Sequence, residues 1–584
     1  MSSAMPQPWV RHYQPGVPAL IEEPTESLVA LYERSVAEAG DAVALEFFGA
    51  ETTYARLGEQ IERAAEGLRR LGVKPGDRVA LILPNCPQHV VAFYAVLRLG
   101  AVVVEHNPLY TARELRHLFE DHGARVVVAW DAAVEKLREQ PSDIQLDRIV
   151  AVNLLKAFPL VKRAALRLPI GRLRETRARL TRPAPGTMPW EELLSAPRID
   201  AGHPRPAALD LAVIQYTSGT TGQPKGALLT HSNLFANARQ GEAWMHGAQY
   251  RKETFYAILP MFHAFGMTLF LTYCILKQGR LVLFPSFDVD LVLDAARRHP
   301  PTVYCAVPPI YEATARRAKE RGISLRTAKY CISGAMALPD ATVELWESVS
   351  GGLLVEGYGM TEASPVCLGN PFAPTRRPGT IGVPFPSTWM RVVDPEEPER
   401  EVGVGERGEL LIHGPQVFQG YWRNDEETAK TLLPGRWLRT GDIVEVDADG
   451  FTRIVDRVKE LIITGGFNVA PSEVELVLSA HPAIRDVAVV GLPEADGGER
   501  VVAALVIDLD AAAALRAAGG LDPAGPGAGA THDELRAWCK ERLTGYKVPR
   551  AFYLVDELPK SMLGKVLRAK VRDAVALATP LPRA

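Results

Sequence analysis

Cysteine is scarce and unpatterned in this chain: six residues among 584 (Cys86, Cys274, Cys305, Cys331, Cys367 and Cys539), with no CxxC or other ligand spacing. That excludes a disulfide framework and a cysteine zinc site, and fits a reducing cytoplasm. Charge of one sign is missing too. The net charge of −3 gives no reason to expect nucleic acid as the main partner. The N-terminus, "MSSAMPQPWVRHYQPGVPAL", lacks a basic region followed by an apolar core, so no signal peptide is read there. Internal repeats are absent. Uncharged runs are rare, and the longest, Phe255 to Leu276, has no Asp, Glu, Lys or Arg. It could span a bilayer by length, but Pro260, His263 and Gly266 interrupt it and nothing similar lies nearby. A membrane transporter needs more than one interrupted segment; a buried strand and helix beside an apolar pocket is the expectation.

What is present is an ordinary globular composition, 47% hydrophobic and 23% charged, in a chain too long for one core. Over the first ~450 residues, β-branched runs alternate with amphipathic stretches, the pattern of α/β units with largely parallel sheets. "DRVALILPN" reads as a strand, "PQHVVAFYAVLRLG" as a helix closing at Gly100, and "AVVVEHNP", "ARVVVAW" and "RIVAVNLL" as further strands. From about 380 the chain changes to short strands and turns. Near 456–459 it breaks again into a small α+β unit. The expected organisation is α/β: a large N-terminal domain, 1–456, of two α/β sheet subdomains plus a β-rich subdomain at about 380–456, then a small mobile α+β domain, 457–584. Within the latter, "DLDAAAALRAAGGLDPAGPGAGATHDE" reads as a flexible surface loop. The region 151–182 is basic, with Lys156, Lys162, Arg163, Arg167, Arg172, Arg174, Arg177, Arg179 and Arg182 against Glu175 alone. Peripheral contact with anionic lipid and a solvated helical face both fit it. The sequence sets no oligomeric state, and a homodimer is among those it allows.

The stretch "YTSGTTGQPKGALLTH", Tyr216 to His231, has the glycines and hydroxyls of a phosphate loop but not the Walker pattern, since Pro224 precedes Lys225 and Gly226 follows it. Thr217, Ser218, Gly219, Thr220, Thr221 and Gly222 offer neutral donors on a backbone free in φ. Lys225 adds one mobile cation. Such a loop suits a triphosphate that must leave as pyrophosphate. "LDLAVIQYTSG" reads as a strand entering it and "THSNLFANARQGEAWM" as the helix that follows, with Thr230 and Ser232 as cap candidates. Strand, glycine-rich turn and helix would aim backbone N–H groups at an anion.

"YTSGTTGQPKG", "PMFHAFG" (260–266), "GYGMTE" (357–362), "RTGD" (439–442), "DRVKELIITGGFNVAP" (456–471) and "PKSMLGK" (559–565) occur in one order along nearly the whole chain. Together they resemble the AMP-forming adenylate-forming superfamily of acyl-CoA synthetases, luciferases and peptide adenylation domains. The resemblance implies a two-step reaction: a carboxylate attacks the α-phosphorus of ATP, then a thiol displaces AMP. Joining two anions calls for charge neutralisation and positioning. It further implies Glu362 as the Mg2+ ligand, Tyr358 stacked on adenine, and Gly357, Gly359, Met360 and Thr361 around the nucleotide. "SGA", with Gly334 and Ala335, would line the adenine and acyl pockets. Asp442 and Arg457 would hold the ribose or a phosphate. Lys565 would stabilise the adenylation transition state and Lys459 would be the hinge. Gly465 and Gly466 would line the CoA tunnel, and His263 would gate the acyl pocket. Thr217, His263, Glu362 and Lys565 form the expected catalytic set, with Mg2+ as cofactor and ATP and CoA as co-substrates. The one departure is Ser218, where several relatives carry Gly.

Peptide adenylation domains place an Asp in the "PMFHAFG" stretch to pair a substrate ammonium. This chain has none, and a buried unpaired cation costs several kcal/mol, so an amino acid substrate is rejected. "NPLYTARELRHLF", "GMTEASPVCLGNP", "VPFPST" and "LTGYKVP" look most like bacterial long-chain fatty acyl-CoA synthetases. An aryl or medium-chain acid, and a carrier-protein thiol in place of CoA, stay open as alternatives. A non-catalytic sensor predicts losses at Lys565, Glu362 or the Thr-rich loop; all are intact.

Overall fold

The alternation of apolar runs with helical stretches builds two sheets in the computed structural model, which describes residues 7–217, 224–457, 460–464, 467–494, 499–508, 510, 531–561 and 564–581. The first sheet has seven strands in the order Met188–Pro189, Arg148–Val152, Val126–Trp130, Arg78–Ile82, Val102–Glu105, Leu211–Thr217, Lys225–Thr230. All neighbours are parallel except the final hairpin. The second has nine strands. Its centre, Leu354–Gly359, Tyr330–Ser333, Val303–Ala306, Thr254–Ala257, Arg280–Leu283 and Val43–Phe47, is parallel, and antiparallel strands close both edges. Parallel strands covered on both faces read as continuous Val/Ile/Leu runs rather than alternation. "VVVE" and "VYCA" are such runs, buried at every residue.

The helix Pro87–Arg98 lies between the two sheets, touching strands of each. Every residue after Pro87 is buried, Gln88, His89 and Arg98 included, as a mostly apolar helix covered on every side requires. Asn85, at the end of the strand that precedes it, ties the sheets together. Its Nδ2 donates to the carbonyls of Ala257 and Leu259 at 2.8 Å each, and its Oδ1 accepts from Met261 N–H at 2.8 Å. Gln215 Nε2 adds a bond to the Phe262 carbonyl at 3.0 Å. The strand ends of the first sheet thereby hold the "PMFHAFG" stretch that follows a strand of the second.

The uncharged 255–276 run is a strand (Thr254–Ala257), a turn, and one buried helical stretch whose middle, Met267–Tyr273, is a π-helix. This agrees with the sequence expectation. No helix among the described residues is long and apolar enough to cross a membrane.

The chain divides into two compact units: Met1–Met390 with Ile412–Arg439 and Asp449–Phe451, and Arg391–Leu411 with Thr440–Ala448 and Thr452–Ala584. Both large sheets belong to the first. The short strands expected after about 380 are present: Trp389–Val393, Arg407–His413, Leu432–Leu433, Trp437–Val446 and Thr452–Arg457. The division runs through them. In the second unit, Ile484–Pro493 pairs antiparallel with Glu499–Ile507, which pairs parallel with Ala551–Leu554. Alternate residues of the central strand feed two cores, Val501, Ala503 and Leu505 on one face and Val502, Ala504 and Val506 on the other. The helices Pro471–Ser479 and His532–Lys540 pack with the first core, and Arg568–Leu577 with the second. Most of the stretch read as a flexible loop, 511–530, lies outside the described residues.

Candidate active site

Two strands paired antiparallel flank the phosphate-loop candidate. Thr217 ends one strand and faces Lys225, the first residue of its antiparallel partner. The sequence reading of a strand passing straight into a helix misses this second strand, whose "KGALLT" is too short to show a period. The helix His231–Trp244 starts six residues later, with Thr230 Oγ1 accepting from Asn233 N–H and Asn233 Oδ1 accepting from Thr230 N–H. Thr230 is therefore the cap, and the helix N-terminus is not at the loop. Ser218, Gly219, Thr220, Thr221 and Gly222 lie outside the described residues. A side chain at Gly226 would come within 2.7 Å of Ile214 and 3.3 Å of the Tyr216 ring, which explains glycine after Lys225.

The hairpin's second strand carries a partner that sequence reasoning missed. Ala227 bridges to Tyr421, with Leu228 N–H on the Gly420 carbonyl at 2.9 Å and Trp422 N–H on the Gly226 carbonyl at 2.7 Å. So held, the Tyr421 hydroxyl donates to Glu362 Oε1 at 2.6 Å. Glu362 is 7% exposed, on the turn Thr361–Ala363. Lys225 Nζ stands 5.4 Å over the Tyr421 ring and forms an ion pair with Glu427. Burial, and then the Glu362 charge, push the Tyr421 hydroxyl far above its ordinary range, so it stays a donor. Loop cation, phenol and carboxylate are thus one connected group. In sequence, only the aromatic pair after glycine in "FQGYW" hints at Tyr421, and nothing marks Glu427.

Beside this group a cavity of about 920 Å³, counting its open mouth, is lined by the other candidates: His263, Gly334, Ala335, Gly357, Tyr358, Gly359, Met360 and Thr361. Two glycines here are sterically required. A Cβ at Gly359 would lie 2.2 Å from the Pro365 carbonyl, and one at Gly266 would lie 2.1 Å from the Pro260 carbonyl. Ala335 adopts φ of +67°, a strained value for a residue with a Cβ, on the cavity wall. Asn237 clamps the facing strand at Val366, donating to its carbonyl at 2.7 Å and accepting from its N–H at 3.2 Å. Another part of the wall is apolar: Gly241, Trp244, Met245, Leu269, Tyr273 and Phe385. Trp244 and Phe385 stack with ring centroids 4.4 Å apart. None of these six was legible beforehand, because packing against a cavity leaves the same apolar signature as packing against a core.

His263 caps its helix, Nδ1 accepting from Phe265 N–H at 3.4 Å, and burial lowers its pKa to about 4. It is neutral near pH 7. Glu356 also reaches the cavity, and burial raises its carboxyl to about 7. A raised acid holds its proton in the folded chain while the unfolded chain has lost it. Stability from Glu356 therefore falls as pH rises from about 4.5 to about 7, at about 1.4 kcal/mol per pH unit. Buried His263 and His231, both lowered to about 4, carry the opposite slope at acid pH. The difference between Glu356→Gln and the parent isolates the carboxyl. The variant's melting temperature should gain on the parent's between pH 5 and pH 8; a constant gap would show that Glu356 is ionised throughout.

In the second unit, Asp442 is buried in the strand Trp437–Val446, directly opposite Arg457 in the ladder. The turn before it is fixed by Gly441 at φ +71°, by Gly441 N–H on Glu409 Oε1 at 3.1 Å, and by Thr440 Oγ1 on the Leu410 carbonyl at 2.8 Å. Lys565 follows Gly564, which has φ +79°. Its carbonyl accepts from Ser561 N–H at 2.7 Å and its N–H donates to Ser561 Oγ at 3.2 Å. Lys459, Gly465 and Gly466 lie outside the described residues.

No group of three or more metal-ligating side chains occurs among the described residues. Mg2+ does not need one: it keeps several waters and is usually held by one or two carboxylates together with substrate phosphates. Glu362, a single buried carboxylate connected through Tyr421 to the hairpin strand that begins at Lys225, fits that donor set.

Residues 32–422 match the family model described as AMP-binding enzyme, and 473–565 that of the AMP-binding enzyme C-terminal domain. The chain is 36% identical over 574 residues to a long-chain-fatty-acid–CoA ligase of Bacillus subtilis (strain 168), covering 97% of this chain and 98% of that one. It is 33% identical to a feruloyl-CoA synthase of an Amycolatopsis species, covering 91% and 95%. Among solved structures, ATP-bound MatB from Rhodopseudomonas palustris superposes with a TM-score of 0.76 at 27% identity, covering 94% and 98%.

Proposed function

The chain belongs to the AMP-binding enzyme family, and on that premise we propose that it is a long-chain fatty-acid–CoA ligase. The observation that carries the substrate is the cavity, largely apolar and aromatic in its lining and bordered through Thr361 by the turn that holds Glu362. Each methylene buried there contributes about 0.8 kcal/mol, so the apolar surface on offer selects chain length. The B. subtilis relative carries the same activity in its name.

In this reading the fatty carboxylate oxygen attacks the α-phosphorus of ATP, the bond to the β-phosphate breaks, and pyrophosphate leaves. Tyr358, Gly334 and Ala335 hold the adenine, and Asp442 with Arg457 holds the ribose. The hydroxyl loop, Thr217 to Gly222, and Lys225 hold the β- and γ-phosphates, with Lys225 exchanging Glu427 for phosphate oxygens. Glu362, oriented by Tyr421, would hold Mg2+, which when bound neutralises phosphate charge. Neutral His263 stands at the acyl entrance, where a charged imidazolium would trap the carboxylate. Lys565 stabilises the charge developing as the adenylate forms. The small domain, with its boundary at 456/457, then turns about Lys459. CoA passes Gly465 and Gly466, its thiol sulfur attacks the acyl carbon, and AMP departs.

Gly241 tests the pocket. A Cβ there meets only the Tyr273 ring at 3.8 Å, an ordinary contact, so larger side chains project into space the acyl chain would use. Gly241→Leu should lower kcat/KM for palmitate by about 10²-fold while sparing octanoate, three to four methylenes of burial being displaced. An equal loss for both acids would place the chain elsewhere. The second reading, an aryl acid, is favoured by the feruloyl-CoA synthase relative; pyrophosphate–ATP exchange that needs an aryl acid and ignores palmitate would select it.

A further inference from the structure

We propose that the segment 156–182 is a docking surface for an anionic lipid bilayer. Its two helices, Leu160–Ala165 and Gly171–Leu180, contain no buried residue. They are nevertheless placed by their flanks. Phe158 stacks on Phe48 at 4.5 Å and meets Phe47 edge-on, Leu166 is buried, and Trp130 Nε1 donates to the Leu180 carbonyl at 2.9 Å. On the longer helix Leu173, Arg177 and Leu180 are partly covered, at helical spacing, leaving Arg172, Arg174 and Arg179 outward.

Two observations separate this surface from an ordinary solvated helix. The first is apolar exposure: Leu160 is 71% exposed, Val161 81%, Leu168 50% and Ile170 53%, four large side chains within eleven residues. The second is unneutralised charge. Many surface arginines elsewhere pair with carboxylates, as Arg317 and Arg321 do with Asp290, and what sets this stretch apart is nine cations with a single acid among them. Among the described residues, none of the nine Lys and Arg side chains between 156 and 182 lies within 4.0 Å of a carboxylate, and Glu175 is the sole acid in the stretch. Apolar tips interleaved with unpaired cations suit an interface where the tips enter the acyl boundary and the cations meet headgroup phosphates. A protein partner would more readily cover one continuous apolar patch ringed by mixed charge. The surface would bring the chain to the phase in which long acyl chains dissolve, and it holds whichever acid the pocket takes.

The test is co-sedimentation of the full chain with phosphatidylcholine vesicles and with 3:1 phosphatidylcholine–phosphatidylglycerol vesicles at low and high sodium chloride. The parent should pellet with the anionic vesicles only, and less at high salt. Each cation near such a surface contributes about fivefold in partition, so R172Q/R174Q/R179Q should bind about 100-fold more weakly. L160S/V161S/L168S/I170S should lose binding while keeping the parent's melting temperature, since none of the four is buried. No binding to anionic vesicles, equal binding to neutral ones, or full retention in both variants would overturn the proposal. So would preferential capture of a homopolymeric RNA with no uptake by vesicles.

Discussion

Lys565→Ala is expected to reduce acyl-adenylate formation by about 10²–10³-fold, the usual loss when one preorganised charge is removed from a transition state. Conversion of supplied acyl-adenylate and CoA to thioester should stay within about threefold of the parent. The separation follows from position. The Lys565 N–H and carbonyl contacts with Ser561 are kept by alanine, and an unchanged melting temperature shows that the loss is one of charge. Lysine acts there as a point charge on a flexible stem; arginine, with its planar fork, should not restore the rate fully. Pyrophosphate–ATP exchange reads the first half-reaction, and thioester release from synthetic acyl-adenylate reads the second. Equal losses in both, at unchanged melting temperature, would remove the assignment of Lys565 to adenylation alone.

Glu362→Gln should cost about 10²-fold in kcat/KM for ATP and shift the Mg2+ dependence to higher concentration, because the amide keeps the shape and the Tyr421 bond but loses the charge. Tyr421→Phe provides the contrast. It leaves Glu362 charged yet takes away the 2.6 Å donor that fixes it. A hydrogen bond to a charged group contributes about 1.5–3 kcal/mol, so KM for Mg-ATP should rise about tenfold with a smaller change in kcat. Tyr421 is a positioning residue, and the split between KM and kcat distinguishes it from a residue that merely supports the fold. Unchanged Mg2+ dependence in Glu362→Gln would take the metal away from this carboxylate.

The layered α/β architecture was legible because parallel strands and buried helices leave long apolar runs: "VALILPN", "VVVE" and the helix "PQHVVAFYAVL" all sit where the pattern places them. The nucleotide candidates were legible through glycines whose absence of a side chain the structure explains, as at Gly359 against Pro365. The hairpin at the phosphate loop was not, since "KGALLT" has six residues and no alternation. Nor were Tyr421, Glu427 and Asn85, which act through contacts 59, 202 and more than 170 residues away in sequence. Local pattern carries no trace of such partners. The acyl pocket stayed hidden for a further reason: Trp244, Tyr273 and Phe385 would be apolar whether they faced a substrate or each other.

The central claim is that this chain joins a long fatty acid to CoA at the expense of ATP. The most direct measurement supplies the purified chain with ATP, Mg2+, CoA and an equimolar pool of C2 to C20 fatty acids with benzoate and coumarate types, and identifies the thioesters by mass spectrometry. The account predicts C12 to C18 acyl-CoA, with AMP and pyrophosphate released in equal amounts. Aryl- or short-chain CoA esters from that pool, or acyl-adenylate accumulating without any CoA ester, would contradict it.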